Sequence, residues 1–435
     1  MITIVVAFFA LLAALILGIP VPFAFFASSV IVVIMGGYDH SFLLPYGYSK
    51  GSSIIICAIP LFVLAGGIME RGGIGEKLID VVEVLVGRVR GGLGVVMVVS
   101  CAIFGAISGS GAATVTCIGS IMLPRMREAG YPRGHSAALI ASAGVLGLLI
   151  PPSLTMILYA WVASTSVLAS FLATVIPGIA LVICFSLVNL FLLRKDKNIK
   201  VTENYNLPTT MILLGKKSFK AFPAIMAPVI ILGGIYGGIM TPTEAAAISC
   251  IYSFPVGMFI YKGLTWKAFY QVLIQSVTTA GVILIMIISV QMLSRLYIME
   301  QVPQKLMFVL NLVSENPIII LLMINLFLII IGMLMDDISA ILLCTPMLLP
   351  IVVSLGVTPT HFAAIIGVNL GLACVTPPCA PFLYLAGRIG KAPVNEMLKP
   401  TMYLIAFAWI PVLILTTYIP GLATWLPNLL LGGKW

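Results

Sequence analysis

Two aspartates, Asp336 and Asp337, stand side by side in the otherwise apolar run "IGMLMDDIS". An acid at bilayer depth costs about 2.5–3.5 kcal/mol on insertion scales, so it should face a site or a partner. Asp336 is the stronger candidate for a site, and Asp337 is left open. The bland alternative is a pair near the aqueous boundary that caps the next helix. A second polar group is "ISGSGAAT", where Ser108, Gly109, Ser110 and Gly111 join hydroxyl acceptors to glycines that allow close approach and unusual dihedrals. The same four residues would also serve as a small-residue packing motif between helices. Two further interruptions follow: Pro151 and Pro152 with Ser153, and Thr376 with Pro377 and Pro378. A proline costs about 3 kcal/mol inside a helix, so a paired break has a purpose or a compensation. The hydroxyls of Ser153 and Thr376 would sit beside freed carbonyls, with Asn369 two helical turns before Thr376 on nearly the same face. Ordinary kinks relieved by Ser/Thr back-bonding are the competing reading.

The elements that must position these groups are membrane spans. Of the 435 residues 61% are hydrophobic and 9% charged, and the mean hydropathy is +1.18. Soluble domains carry roughly 25% charged residues. Apolar runs close to the needed length recur at Ile2–Leu17, Val21–Met35, Pro223–Met240, Ser276–Met292 and Pro317–Met335, which gives about ten to twelve passes, several interrupted. The first run lacks a basic start and is read as a true helix rather than a cleaved signal. The net charge of +9 sits in short loops between spans, the positive-inside pattern of a cytoplasmic face, and argues against nucleic acid as a partner. The cysteines lie singly in apolar segments with no CxxC pair and are read as small buried residues.

The chain also matches itself at an offset of 226 residues: Pro124 with Pro350, Gly130 with Gly356, His135 with His361, and Pro151–Pro152 with Pro377–Pro378. Repeats at half-chain spacing are a mark of secondary transporters. The connection after the first copy carries Arg125, Arg127 and Arg133, whereas its counterpart after Pro350 carries no Lys or Arg. The linker from Arg194 to Lys220 holds seven basic and two acidic residues and is the clearest cytoplasmic segment. The copies are therefore inverted. In the first, the arms Gly91–Phe104 and Ala112–Pro124 are too short to cross a core of about 30 Å, so Ile107–Thr114 is expected as the tip of a re-entrant hairpin. Met335–Ser339 is the second tip, and each hairpin precedes a broken helix. Irregular backbone survives at membrane depth only where protein buries it or a polar cavity is lined by it. The breaks would expose carbonyls suited to Na+ and helix N-termini suited to an anion. His135 and His361 are expected as interfacial caps, and Glu244 as a helix-start acid.

"GRVRGGLG", "SGSGAAT", "ASAGVLGLLIPPS", "MTPTEAAAIS", "IGMLMDD" and "VNLGLACVTPPCAP" occur in one order along the chain. Together they resemble the large membrane (M, DctM-like) subunit of TRAP, tripartite ATP-independent periplasmic, transporters, from about residue 1 to 425. The resemblance implies an all-α polytopic protein of the bacterial inner membrane with an elevator architecture. It implies a Na+-coupled symporter, not an enzyme, importing an organic acid such as a sialic acid or a dicarboxylate. A small four-helix membrane subunit and a periplasmic substrate-binding protein would be its partners. It implies a scaffold at 1–90 and 176–315, including linker 194–222, transport repeats at 91–175 and 316–392, and a C-terminal helix at 393–435. It extends the second tip to Gly332, with Na+ near Ser108, Ser110, Asp336 and Thr376. Three positions depart from the pattern: Gly67 in place of a glutamate, Thr114 in place of an acid, and Ala380 in place of a glycine. A stand-alone ion-coupled carboxylate or oxyanion transporter is the alternative, with a channel or an integral-membrane enzyme behind it.

Overall fold

In lipid, a spanning chain satisfies its backbone as helix or as closed barrel; here every regular element among the described residues is helical. The computed structural model describes residues 2–86, 89–196, 198–199 and 207–433, with backbone alone over 207–212. Parts of the expected cytoplasmic linker (197 and 200–206) and Arg88 lie outside the described residues.

Among those described, eight helices are long and apolar enough to cross a bilayer, and a ninth span forms if Arg133–Leu149 and Leu154–Val162, bent by 45°, count as one. That is fewer passes than hydropathy suggests. The difference lies in apolar but short helices, including Ile2–Ile16, Val21–Gly36, Gly92–Ser108 and Pro359–Ala373. Hydropathy measures composition, whereas reach needs about 1.5 Å of rise per residue.

The helices form two groups. In one, Ile2–Ile16 pairs with Val21–Gly36, and the latter packs with Leu43–Gly51 and Ala58–Arg71 along Trp266–Met299. Pro242–Pro255 lies on Ala58–Arg71, and Leu207–Tyr236 on Ile74–Val86. The second group contains the same series of elements twice. Gly92–Ser108, Gly111–Glu128, Arg133–Leu149, Leu154–Val162 and Val167–Leu193 are followed later by Pro317–Leu334, Asp337–Ser354, Pro359–Ala373, Pro381–Gly390 and Val394–Tyr418. Gly111–Glu128 and Asp337–Ser354 keep the 226-residue offset at both ends. Val167–Leu193 is continuous across residue 175, and the C-terminal segment holds two helices, Val394–Tyr418 with a π turn at Ile405–Trp409 and then Gly421–Leu431.

The two series interlock. Leu154–Val162 packs on Asp337–Ser354, and Pro381–Gly390 packs on Gly111–Glu128. Val167–Leu193 packs on Pro359–Ala373, and Val394–Leu404 packs on Arg133–Gly144. Tyr159 seals one crossing: its hydroxyl donates to the Pro359 carbonyl, and its ring meets Phe362 edge-on with centroids 6.2 Å apart.

The histidines depart from expectation. His135 and His361 are 5% and 3% exposed, because the long helix closing each series covers the start of its broken span. His135 Nε2 lies 3.0 Å from Asn189 Oδ1, and His361 Nε2 lies 2.7 Å from the Thr416 carbonyl. They cross-link helices in the interior rather than cap them at a water boundary. Glu244 does what a helix-start acid should: its carboxylate accepts from Thr241 N at 2.7 Å, and Thr241 Oγ1 accepts from Glu244 N at 3.3 Å.

Candidate functional site

The first tip is built by a two-residue turn. Gly92–Ser108 ends at Gly109, which is left-handed at φ 62°, and Ser110 in extended geometry opens Gly111–Glu128. The arms, of 17 and 18 residues, are longer than expected because the first helix runs on to Ser108 and the second absorbs Pro124. Glycine is required at 109 twice over. Its φ suits glycine, and a Cβ would come within 2.7 Å of the Pro152 carbonyl oxygen. That close approach lets the Gly109 carbonyl accept from Leu154 N at 3.1 Å, joining tip to broken span.

Behind the turn, oxygens gather. Ser108 is fully buried, with its Oγ 3.3 Å from Thr114 Oγ1 and 3.4 Å from the Ser110 carbonyl oxygen. Thr114 Oγ1 donates to that carbonyl at 2.8 Å. Gly147 backs the cluster; a Cβ there would lie 2.7 Å from Thr114 Oγ1 and 2.8 Å from the Ser110 oxygen. Hydroxyl and carbonyl oxygens are the donor set a small hard cation takes; Ser108 closes one helix here, while Ser110 and Thr114 open the next. Thr114, where the resemblance leads one to expect an acid, is thus a neutral member of this cluster.

At the first break, Pro151, Pro152 and Ser153 are all buried and the Pro–Pro peptide is cis. Ser153 acts as a double cap: its Oγ donates to the Leu148 carbonyl and accepts from Met156 N at 3.4 Å. The second break also has a cis Pro377–Pro378 peptide but is more open, with Pro378 exposed. Thr376 Oγ1 donates back to the Leu372 carbonyl at 2.7 Å, the kink-relieving geometry. Ala380 follows at φ 32°, ψ 56° and starts Pro381–Gly390. Asn369 belongs to a buried ladder, donating to Asn325 Oδ1 at 2.8 Å while Asn325 donates to Thr417 Oγ1 at 3.0 Å. Gly332 serves close packing, since a Cβ there would meet Ala373 Cβ at 2.5 Å.

The acid pair divides its labour, and the geometry shifts the emphasis from Asp336 to Asp337. Asp336 is the N-cap of Asp337–Ser354, accepting from Ser339 N at 3.2 Å and from the Ser339 hydroxyl. Asp337 faces the other series, where Thr155 Oγ1 donates to its Oδ2 at 3.2 Å.

A cavity of about 440 Å³ opens at the seam between the two helix groups. Ser108, Gly109, Ser110, Gly111 and Asp337 line it; Pro151, Pro152, Ser153, Gly332, Asp336, Asn369, Thr376, Pro377 and Pro378 stand behind or apart from its wall. The helix starts Gly111–Ala113, Leu154–Thr155 and Asp337–Ile338 reach it, so three positive helix ends meet in one space. The opposite wall comes from Gly66, Gly67, Glu70 and Arg71 on one helix and Gln275, Ser276 and Thr279 on another. Gly67, another departure from the pattern, leaves Glu70 as the carboxylate of this wall, and a Cβ at 67 would press within 2.7 Å of Val272. Sequence reasoning passed over Arg71, Thr155, Gln275, Ser276 and Thr279. "QSVTT" inside an apolar helix was the available signal, because polar groups in a span ordinarily face a cavity or a partner.

The family model described as "Tripartite ATP-independent periplasmic transporter, DctM component" matches residues 6–422. The isethionate TRAP transporter permease protein DctMQ of Oleidesulfovibrio alaskensis is 34% identical over 94% of this chain, and the chain spans 64% of that protein's length. The sialic acid TRAP transporter large permease protein SiaM of Vibrio cholerae is 32% identical over 98% of both chains. Among solved structures, the Alcanivorax borkumensis YdaH transporter superposes with a TM-score of 0.61 over 88% of this chain and 89% of that one, at 13% identity, a likeness of fold.

Proposed function

We propose, from the premise that this chain belongs to the DctM-component family of tripartite ATP-independent periplasmic transporters and is an inner-membrane permease subunit rather than an enzyme, that it imports an organic anion, a carboxylate in the first instance, coupled to Na+. A periplasmic binding protein would deliver the solute, and a small membrane subunit would complete the permease. The similar proteins named above carry isethionate and sialic acid in their names, both organic anions.

The observation that carries the proposal is the seam cavity. Ser108 and Ser110 in its lining lead to an oxygen cluster suited to Na+ (Ser108 Oγ, the Ser110 carbonyl and the buried Thr114 Oγ1) beside three helix N-termini suited to an anion. Arg71 is the cation on the facing wall. Cation and anion sites that share the Gly109–Ser110 turn favour each other's occupancy, and the coupling is reciprocal by thermodynamic necessity. Because tips and breaks lie on one side of the seam and Ala58–Arg71 and Trp266–Met299 on the other, sliding one group past the other would carry the site across the membrane as an elevator. Inverted orientation of the two series, and hairpins entering the bilayer without crossing it, belong to the same proposal.

Uptake into proteoliposomes holding this chain and its small subunit, with binding protein loaded with a candidate acid, tests it. Uptake should require an inward Na+ gradient, and Ser108→Ala should raise the half-saturating Na+ concentration about tenfold while leaving insertion intact. Asp337→Asn should impair transport more than Asp336→Asn. Uptake indifferent to the Na+ gradient would end the coupling, and full uptake without binding protein would favour a stand-alone transporter.

A further inference from the structure

Away from the seam, the lysines of Leu207–Tyr236 form one face. Leu213, Lys216, Lys217 and Lys220 follow i, i+3, i+4, i+7 spacing. This face opposes Lys77 and Asp80 of Ile74–Val86 across a cavity of about 270 Å³. Ile74–Val86 is held against the protein by its buried face, Leu78, Ile79 and Val82, so the arrangement is built rather than incidental. Asp80 is the one acid in the lining, and it is already engaged: Arg125 Nη1 lies 3.5 Å from Asp80 Oδ1 and 3.3 Å from Glu83 Oε2. None of the four ammonium groups has an ion-pair or hydrogen-bond partner among the described residues. Four like charges brought together by helix packing repel one another until an anion joins them.

The neighbouring surface indicates what kind of anion. Phe219, between Lys217 and Lys220 on the flank of the lysine face, is 83% exposed. The helix continues as the apolar span Leu213–Tyr236. A soluble anion would use the lysines and leave that ring bare. We infer that this cleft is a binding site for an anionic phospholipid, its phosphate among Lys77, Lys216, Lys217 and Lys220 and its acyl chains leaving past Phe219 along the apolar span. Each lysine close to an anionic membrane surface contributes about 1 kcal/mol. The headgroup bridges Ile74–Val86 to Leu207–Tyr236, so the lipid fastens two helices of the group opposite the tips.

The test titrates the detergent-solubilised full chain with phosphatidylglycerol or with phosphatidylcholine, reading binding by native mass spectrometry and melting temperature. Phosphatidylglycerol should bind and raise the melting temperature, and phosphatidylcholine should do neither. Lys216→Gln, Lys217→Gln and Lys220→Gln together should weaken phosphatidylglycerol roughly a hundredfold, whereas the corresponding three Lys→Arg changes should leave it within about threefold. Should the glutamine variant fold poorly, Lys77→Gln alone and the two-lipid comparison on the unaltered chain read the same site. Equal binding of both lipids, or full retention in the glutamine variants, would overturn the inference. Stabilisation by inorganic phosphate alone that also displaces phosphatidylglycerol would overturn it too, making this a site for soluble anions.

Discussion

Ala380 occupies a left-handed conformation that an L-residue with a Cβ adopts at a cost of about 1–2 kcal/mol. It is fully buried at the entry to Pro381–Gly390, so local packing holds it there. The departure seen in the sequence, alanine where a glycine is common, therefore lands on a position whose backbone favours glycine. Ala380→Gly should stabilise the purified protein by about 0.5–1 kcal/mol, the relief of the backbone exceeding the loss of one methyl. A rise in melting temperature checks this, and Ala380→Val should lower it. At this scale the sequence was informative about residue type and weak about phase. Asp336 reads as the stronger site acid and Asp337 is left open, but the helix begins between them. One residue becomes the cap and its neighbour faces Thr155. Either aspartate is an acceptable N-cap, so "MDDIS" alone does not set that phase.

Between elements, the controlling contacts are glycines that let helices touch. A Cβ on Gly105 would come within 2.7 Å of Gly147 Cα, and one on Gly147 would strike the Thr114 hydroxyl at 2.7 Å and the Ser110 carbonyl oxygen at 2.8 Å. Gly332 against Ala373 repeats this crossing in the second series. Gly147→Ala should cost about 1–3 kcal/mol, because the obstacle includes the Ser110 carbonyl, backbone that has little room to yield. Gly233→Ala, with nothing within 4 Å of its added Cβ, should be neutral or slightly stabilising. Melting curves of the two variants side by side test the difference. These elements were legible from punctuation: paired prolines and the SGSG turn mark the interruptions within a few residues. The far wall of the cavity was not. Arg71 and Thr279 lie far apart in sequence and meet the tip only through tertiary packing, which periodicity does not encode.

For the whole molecule, the interlocking of the two series matters most. Each broken span's second half lies on the other series' hairpin, and each closing helix lies on the other's first half-span. A chain divided between Arg194 and Leu207, ahead of the helix Leu207–Tyr236, should therefore assemble only when both pieces are made together. Co-expressed pieces should copurify, and either piece alone should be degraded. Stable accumulation of residues 1–200 by themselves would contradict this. The repeat itself could be read from prolines and histidines at a fixed offset, but not the exchange of partners, since an offset says which parts correspond and nothing about which parts touch.

That exchange also bears on biosynthesis. When the ribosome has made Val167–Leu193, the surfaces destined for Pro359–Ala373 and Val394–Leu404 have nothing yet to cover them. More than half the polypeptide is still to come, and the early portion must wait in the bilayer, shielded by lipid or by the insertion machinery, until its later counterpart emerges and threads against it.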